Sequence, residues 1–390
     1  MDFFRIILVV GLCLCFAQCK RAVDNTSTSD VVIVKIDELN KQVPSEAFTD
    51  VELIPLQTTT QSLVGQIKQI SIKNEHIYIC DVNQNIVVFG LDGAFAFKLS
   101  PGRGHGEYSS LTHCYVTTDN ILVYDYLQSK MFVYDLNGRY IKRINSNSEV
   151  NSLITSSSEG EILPNGQLLL NLDFVPTIQN MYSIVGVKSL MRVETNLCKY
   201  PFVWEYRSSD GARPKIAQNS KGVYGLSIMS DTIYMIDDSC RQLTPRYILD
   251  SGKESIYNSG LSVENIDGFG SLLHLVASDD DYSWGIRSLL MTEEVGYASC
   301  IHNDETCHLF WNLDSGKGYV FPQYTGHDNI LEDLNLLTAT TDKFVGIVYP
   351  YQLSSDSKVR LSTGVKDDDN PIVVLYKNHY FDASSFVELK

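Results

Sequence analysis

In the run SPGRGHGEYSS, residues 100–110, His105 and Glu107 stand two positions apart among Gly102, Gly104 and Gly106. On extended backbone alternate side chains point the same way, so an imidazole and a carboxylate at this spacing could act as an acid–base pair. The glycines invite a nucleotide reading, but a dinucleotide loop needs G-x-G-x-x-G opening a helix, and here the spacing is G-x-G-x-G with strand-like sequence after it. A phosphate loop needs Gly-Lys-Ser/Thr, which the chain lacks. The competing structural reading makes the run a junction between sheets: glycines permit close passage, Tyr108 packs, and Arg103 or Glu107 bonds nearby backbone. No catalytic set is assigned; His105 and Glu107 are the residues on which chemistry would rest.

Other constellations are sparser still. Cys300 and Cys307 lie in YASCIHNDETCHLFWN, where a turn at Asn303-Asp304 sets residue 300 opposite 307. Opposed strand positions are within the reach of a disulfide, so these cysteines form either a bridge or two reduced thiols in a hairpin. His302 and His308 lie beside them, but no C-x-x-C spacing occurs, and no metal site is assigned. The acidic runs SDDDY (278–282) and KDDDN (366–370) are where calcium, the one cofactor left open, would bind; adjacent carboxylates alternate in direction along a strand and more readily make a solvated turn. The G-x-S-x-G elbow of an acyl-transfer hydrolase is missing. Trp204 and Tyr206 in FVWEYRSSDG, Trp284 in DYSWGIR, and Trp311 fall near stretched segments, so they are ligand-binding candidates as well as core candidates.

Whatever positions these residues is acidic and globular. The formal charge is -16 over 390 residues, which excludes nucleic acid as a natural partner, and apolar residues at 44% suffice for a large core. The start, MDFFRIILVVGLCLCFAQCKR, has Arg5, an apolar run from Ile6 to Phe16 and small or polar residues after it, the layout of an export signal. Its apolar part is about half of the ~20 residues a spanning helix needs. Cleavage after Ala17 gives a soluble periplasmic or secreted protein; cleavage before Cys19 gives a lipoprotein with the lipid on Cys19. The polar, Ser/Thr-rich stretch from Lys20 to Asp30 suits a tether and favours the second. Residues 1–18 are then the signal, 19–30 the tether and 31–390 the folded domain, with the membrane reached only through the lipid.

Two consecutive segments of that domain spell the same pattern. HIYICDVNQNIVVFGLDGAFAFKLS (76–100) aligns with NILVYDYLQSKMFVYDLNGRYIKRIN (120–145); Asp81 answers Asp125 after 44 residues and Gly93 answers Gly138 after 45. Each copy reads as an alternating strand ending at Asp, a second strand, a tight primed turn at Asp92-Gly93 or Asn137-Gly138, and a third strand. The runs GQIKQISIK (65–73) and THCYVTT (112–118) add a strand before each. Four antiparallel strands repeating at this length predict an all-β propeller, in which every sheet buries both faces against its neighbours. Asp81 and Asp125 then recur for a structural reason. The segments at 160–174, 230–252, 306–321 and 342–353 each read as a further strand pair around a polar turn, no sustained helical period is visible, and the count of blades runs from six to eight.

The stretches DVELIPLQTT (50–59), GRGHGEY (102–108), VYDLNGRYIKRI (133–144), YILDSGK (247–253) and DDDNPIVVLYK (367–377) together resemble the six-bladed β-propeller lipoproteins of Bacteroidota, relatives of NHL-repeat propellers. His105 departs from that pattern, where the family's loop has Pro. The resemblance implies six four-stranded blades and export, and it implies no reaction. In such folds the chain ends share a blade, so VVLYK (373–377) is expected beside DVELIPL. The function that follows is an exported binding or scaffolding protein of the cell envelope, on its periplasmic or outer side, with a protein, peptide or glycan as ligand. A propeller enzyme of lactonase or lyase type acting from the central channel, and a purely structural envelope component, are the alternatives.

Overall fold

The computed structural model describes residues 31–39, 50–157, 159–163, 165–172, 182–189, 192–199, 215–226, 230–237, 242–253, 285–302, 305–322 and 335–377, with the backbone alone at 182–189 and 192–199. Among these, 25 strands form six sheets. Two strands, β1 (Val32–Lys35) and β2 (Asp50–Pro55), precede the first full sheet of β3 (Ile67–Lys73), β4 (His76–Asp81), β5 (Ile86–Gly90) and β6 (Phe95–Leu99). The second holds β7 (His113–Val116), β8 (Asn120–Asp125), β9 (Lys130–Asp135) and β10 (Tyr140–Asn145). The third holds β11 (Glu159–Ile162), β12 (Leu168–Asn171), β13 (Tyr182–Ser189) and β14 (Arg192–Lys199). The fourth holds β15 (Ile216–Asn219), β16 (Gly222–Leu226), β17 (Thr232–Ile236) and β18 (Leu243–Asp250), and the fifth β19 (Gly285–Met291), β20 (Val295–His302), β21 (Glu305–Asn312) and β22 (Gly318–Pro322). The sixth is β23 (Leu336–Ala339), β24 (Lys343–Val348) and β25 (Ile372–Lys377), completed by β2.

The first strand of each sheet touches the first strand of the next, and β23 touches β3, so six sheets close into a ring around a central channel. The fold is a six-bladed β-propeller. Six apolar clusters lie between the blades, each drawn from two neighbours; Tyr78, Val88 and Phe89 of blade one, for example, are divided between the clusters facing blades two and six. Each fully buried Leu, Ile or Phe in them is worth about 1.5–3 kcal/mol. That both faces of each sheet are apolar explains why strands such as β5, IVVF, read as unbroken hydrophobic runs rather than alternating ones.

Closure uses the two chain ends. β2 pairs antiparallel with β25 from Asp50↔Lys377 to Pro55↔Ile372, the pairing expected from the sequence, and Lys343 reaches Glu52 at 2.8 Å across the same blade. Pro55, lacking an N–H, falls at the end of the ladder, where no further bond is needed. Asn370 locks the joint: its side chain accepts from the Val64 amide and donates to the Gln57 and Ser62 carbonyls.

Four local expectations are corrected. The turns at Gly93 and Gly138 are not two-residue primed turns: only the glycine has positive φ, 80° and 77°, and Gly90 bonds Ala94 as Asp135 bonds Arg139. Each is a three-residue loop with a bulge, held by Asp92 accepting from the Ala94 amide and Asp135 from the Asn137 and Arg139 amides. A helix, α1 (Ser148–Ser156), stands where no helical period was read; Asn147 caps it by accepting from the Val150 amide, and Val150, Leu153 and Ile154 bury its inner face. The segment 342–353 holds one strand and then a 3-10 turn at Pro350–Gln352, because Pro350 cannot donate to a ladder; a short helix α2 (Lys358–Thr363) intervenes before β25. Finally, β1 adds to blade four as a fifth strand, parallel to β18 from Val32↔Tyr247 to Lys35↔Asp250.

Candidate functional site

The junction run is tied down by its own chemistry. Glu107 accepts from the Gly104 amide at 2.6 Å, Gly102 donates to the Tyr108 carbonyl, and the Tyr108 hydroxyl donates to the carbonyls of Gln84 and Leu99. Gly106 has φ +83°, and a Cβ there would fall 2.5 Å from the Tyr140 ring. His105 meets Tyr140 edge-on at 5.2 Å and makes no hydrogen bond with Glu107. The two are therefore not brought together as an acid–base pair.

The recurring aspartates have the same kind of role. Asp81, at the end of β4, accepts from the Gly65 amide and from the amide and side chain of Asn85. Asp125 accepts from the amides of Ser109, Ser110 and Gln128 and from the Ser109 and Gln128 side chains. Each carboxylate ties the loop entering a blade to the turn between that blade's second and third strands. Burial works to raise the Asp125 carboxyl, but these bonds outweigh it and hold it below the ordinary range.

Of the aromatic candidates, Trp204, Tyr206 and Trp284 lie outside the described residues, as does Cys19. Trp311 is fully buried against Tyr247, and a Cβ on Gly296 would fall 2.2 Å from its ring. It fills the core between blades four and five and offers no face to a ligand. Cys300 does stand opposite Cys307, as His302 stands opposite Glu305; both sulfurs are free thiols, and burial pushes the Cys300 thiol up. Among the described residues no three His, Cys, Asp or Glu side chains converge as a metal site. In the acidic run 366–370, Asp367 pairs with Arg360 and Asp369 accepts from the Lys366 amide, while the run at 278–282 lies outside the described residues.

The opposite end of the channel is built differently. Every innermost strand ends there in a hairpin turn, and the turns enclose a cavity of about 520 Å³. Neighbouring blades are stitched around it: Asn74 donates to the Thr118 carbonyl, Gln69 to the Cys114 carbonyl, Asn219 to the Thr292 carbonyl, and Glu159 accepts from the amides of Lys215 and Ile216. Glu293 takes both the amide and the hydroxyl of Ser220.

Three titratable groups in this wall lack partners among the described residues. Glu161, in β11, makes no hydrogen bond, and its half-buried place at the channel pushes its carboxyl up to about 7, with Lys73 acting weakly the other way. Lys73, at the end of β3, is exposed and unpaired. The Tyr115 hydroxyl is buried with no partner; it lies against Gly160, where a Cβ would sit 2.8 Å away, and burial followed by the Glu161 charge raises it well above its ordinary value. Sequence reading passed over all three. For the two charged ones the available signal was a charged residue in the last two positions of an innermost strand just before its turn, Lys73 in IKQISIK and Glu161 in EGEI.

A family model for a domain of unknown function, DUF4934, matches residues 28–377. The chain belongs to that family. No curated protein matches it. Among solved structures, a Bacteroides fragilis protein named for its expected export is similar at a TM-score of 0.62 and 17% identity, covering 89% of this chain and 99% of that one. A DUF4221-family member from Bacteroides vulgatus is similar at 0.55 and 12% identity, covering 85% and 96%. At these identities the likeness concerns the fold alone. In the DUF4934 propeller, Lys73 and Glu161, neither with a hydrogen-bond partner among the described residues, line the cavity at one end of the channel.

Proposed function

We propose that this DUF4934 chain is an exported binding protein of the cell envelope, held by a lipid on Cys19, which takes a small polar ligand at the hairpin end of its channel. One observation carries the ligand site: the Glu161 carboxyl is without a partner among the described residues in the wall of a cavity of about 520 Å³, a volume in the range of small-molecule sites, roughly 300–1,000 Å³. Buried polar groups are ordinarily satisfied, and a group left open at a cavity is one a ligand can satisfy. The Ser/Thr-rich stretch before Val32 and the name of the Bacteroides fragilis relative support export and a tether. This reading needs no cofactor and no nucleic acid.

The ligand is sought by thermal shift on the mature chain against panels of amino acids, short peptides and saccharides, with Glu161→Gln as the control that must lose the shift. The anchor is tested by Cys19→Ser: the variant is expected to leave the detergent phase and become soluble, and equal partitioning of the two proteins overturns the anchor.

A second reading rests on the Glu161 carboxyl itself. A half-buried acid brought to about 7 is suited to proton transfer at neutral pH, which keeps a channel enzyme in view. Turnover of a bound ligand that stops in Glu161→Gln while binding survives would establish it.

A further inference from the structure

The proposed channel site has a charge pattern that narrows its ligand, and the inference rests on that reading of the cavity. The cavity has three charged side chains in its wall, Lys73, Glu161 and Glu293. Glu293 is occupied by Ser220 from the neighbouring blade. Beyond the wall, the nearby Lys221 is taken by Asp314 at 2.9 Å, and Glu159 by two backbone amides. Among the described residues that leaves one ammonium and one carboxyl, on blades one and three, facing a common space without an ion pair between them.

An unmatched opposite pair lining one cavity is complementary to a small molecule that carries both charges. A ligand ammonium would take the Glu161 carboxylate, and a ligand carboxylate would take the Lys73 ammonium; charge-assisted bonds of this kind are roughly twice as strong as neutral ones. The remaining wall supplies neutral hydrogen-bonding groups, among them Ser71, Gln218 and Thr338, which suit an amide or a small side chain. A neutral saccharide would leave both charges uncompensated, and a purely anionic or cationic ligand would leave one.

We infer that the hairpin end of the channel binds a small zwitterion, a free amino acid or short peptide, held between Lys73 and Glu161. Glu161 must be ionised to receive the ammonium, so binding strengthens as pH rises through about 7, the value to which burial brings its carboxyl. The charged and titratable groups around it are Lys73, Tyr115 and Glu293; burial raises the Tyr115 phenol well above its ordinary value, and Glu293 is bonded to Ser220.

The test is calorimetric titration of the mature chain with glycylglycine, N-acetylglycinamide and N-acetylglucosamine at pH 6 and pH 8. Glycylglycine is expected to bind saturably and more tightly at pH 8, and the neutral N-acetylglycinamide at least about tenfold more weakly. Glu161→Gln and Lys73→Met should each cost glycylglycine about tenfold or more, and Glu161→Gln should also remove the rise with pH, leaving only the weakening that follows as the ligand's own ammonium loses its proton at about 8. Lys73 is exposed, so its variant folds and serves if the other does not. No saturable glycylglycine binding up to about 10 mM overturns the inference. N-acetylglucosamine binding that Glu161→Gln abolishes overturns the zwitterion and keeps the channel site; glycylglycine binding indifferent to both substitutions overturns the zwitterion and the channel site together.

Discussion

Asp125 and Glu161 are carboxylates at opposite ends of the same propeller, and they are treated in opposite ways. Asp125 is fully buried and receives five hydrogen bonds from Ser109, Ser110 and Gln128, which hold its proton affinity down. Glu161 keeps an opening to the channel and receives none from the described residues, and its proton affinity rises. A carboxylate that closes a loop is stabilised by the backbone it organises; one that is merely surrounded carries an uncompensated desolvation cost. Such a cost persists at a place where something outside the fold can offset it. The contrast separates the residues that build the ring from those proposed to face a ligand, and charge or spacing in the sequence does not.

The largest expected effect is at the satisfied end. Asp125→Ala leaves three amides and two side chains without their common acceptor and should cost about 3 kcal/mol of stability, read by urea or thermal unfolding. A loss below about 1 kcal/mol would mean that solvent replaces the carboxylate easily and that the aspartate is no hub. The sign with pH follows from the depressed carboxyl: its contribution is present above the unfolded-state value and is lost as pH falls through the folded one.

Glu161→Gln should do the reverse. Its carboxyl binds its proton more tightly folded than unfolded, so stability is full below the ordinary value of 4.5 and declines as pH rises toward about 7. The amide escapes that decline, and the variant should be more stable than the parent by about 3 kcal/mol at pH 8 and nearly equal to it near pH 4.5. A variant less stable at pH 8 would show that the carboxylate has a partner in the ring, and the contrast with Asp125 would fail.

Much of the architecture was legible because a propeller repeats. Asp81 and Asp125 recur where the second strand of each blade ends, so their structural role could be read from recurrence, and the ladder of β2 on β25 from the pattern at the two chain ends. The exceptions were local. The nine residues of α1 carry too few turns for a period to emerge from a Ser-rich stretch, although Asn147 and the spacing of Val150, Leu153 and Ile154 were there to be read. β1 pairs parallel with a strand more than 200 residues away, and no turn links the two. Trp311 was a candidate for a ligand-facing ring, yet its burial depends on the neighbouring Gly296 and on Tyr247 of another blade. Glu161 and Lys73 share a cavity only once three blades have been placed side by side.

The smallest effect is expected where chemistry first suggested itself. His105→Ala removes an exposed ring from the edge of Tyr140, which still packs against Phe132 at 6.3 Å and Tyr134 at 6.1 Å. The change should stay within about 0.5 kcal/mol, since surface substitutions away from caps, networks and cores rarely exceed that. Gly106→Ala, one residue on, should cost several times more, because its φ of +83° and the Tyr140 ring 2.5 Å from a new Cβ leave no relaxed place for a methyl group. Parallel melts and glycylglycine titrations of the two variants decide the matter: a stability loss confined to Gly106→Ala with binding intact in both marks the loop as a junction. A His105→Ala protein that melts normally but no longer binds would move the ligand to the aspartate end of the channel and dissolve the distinction between the two ends.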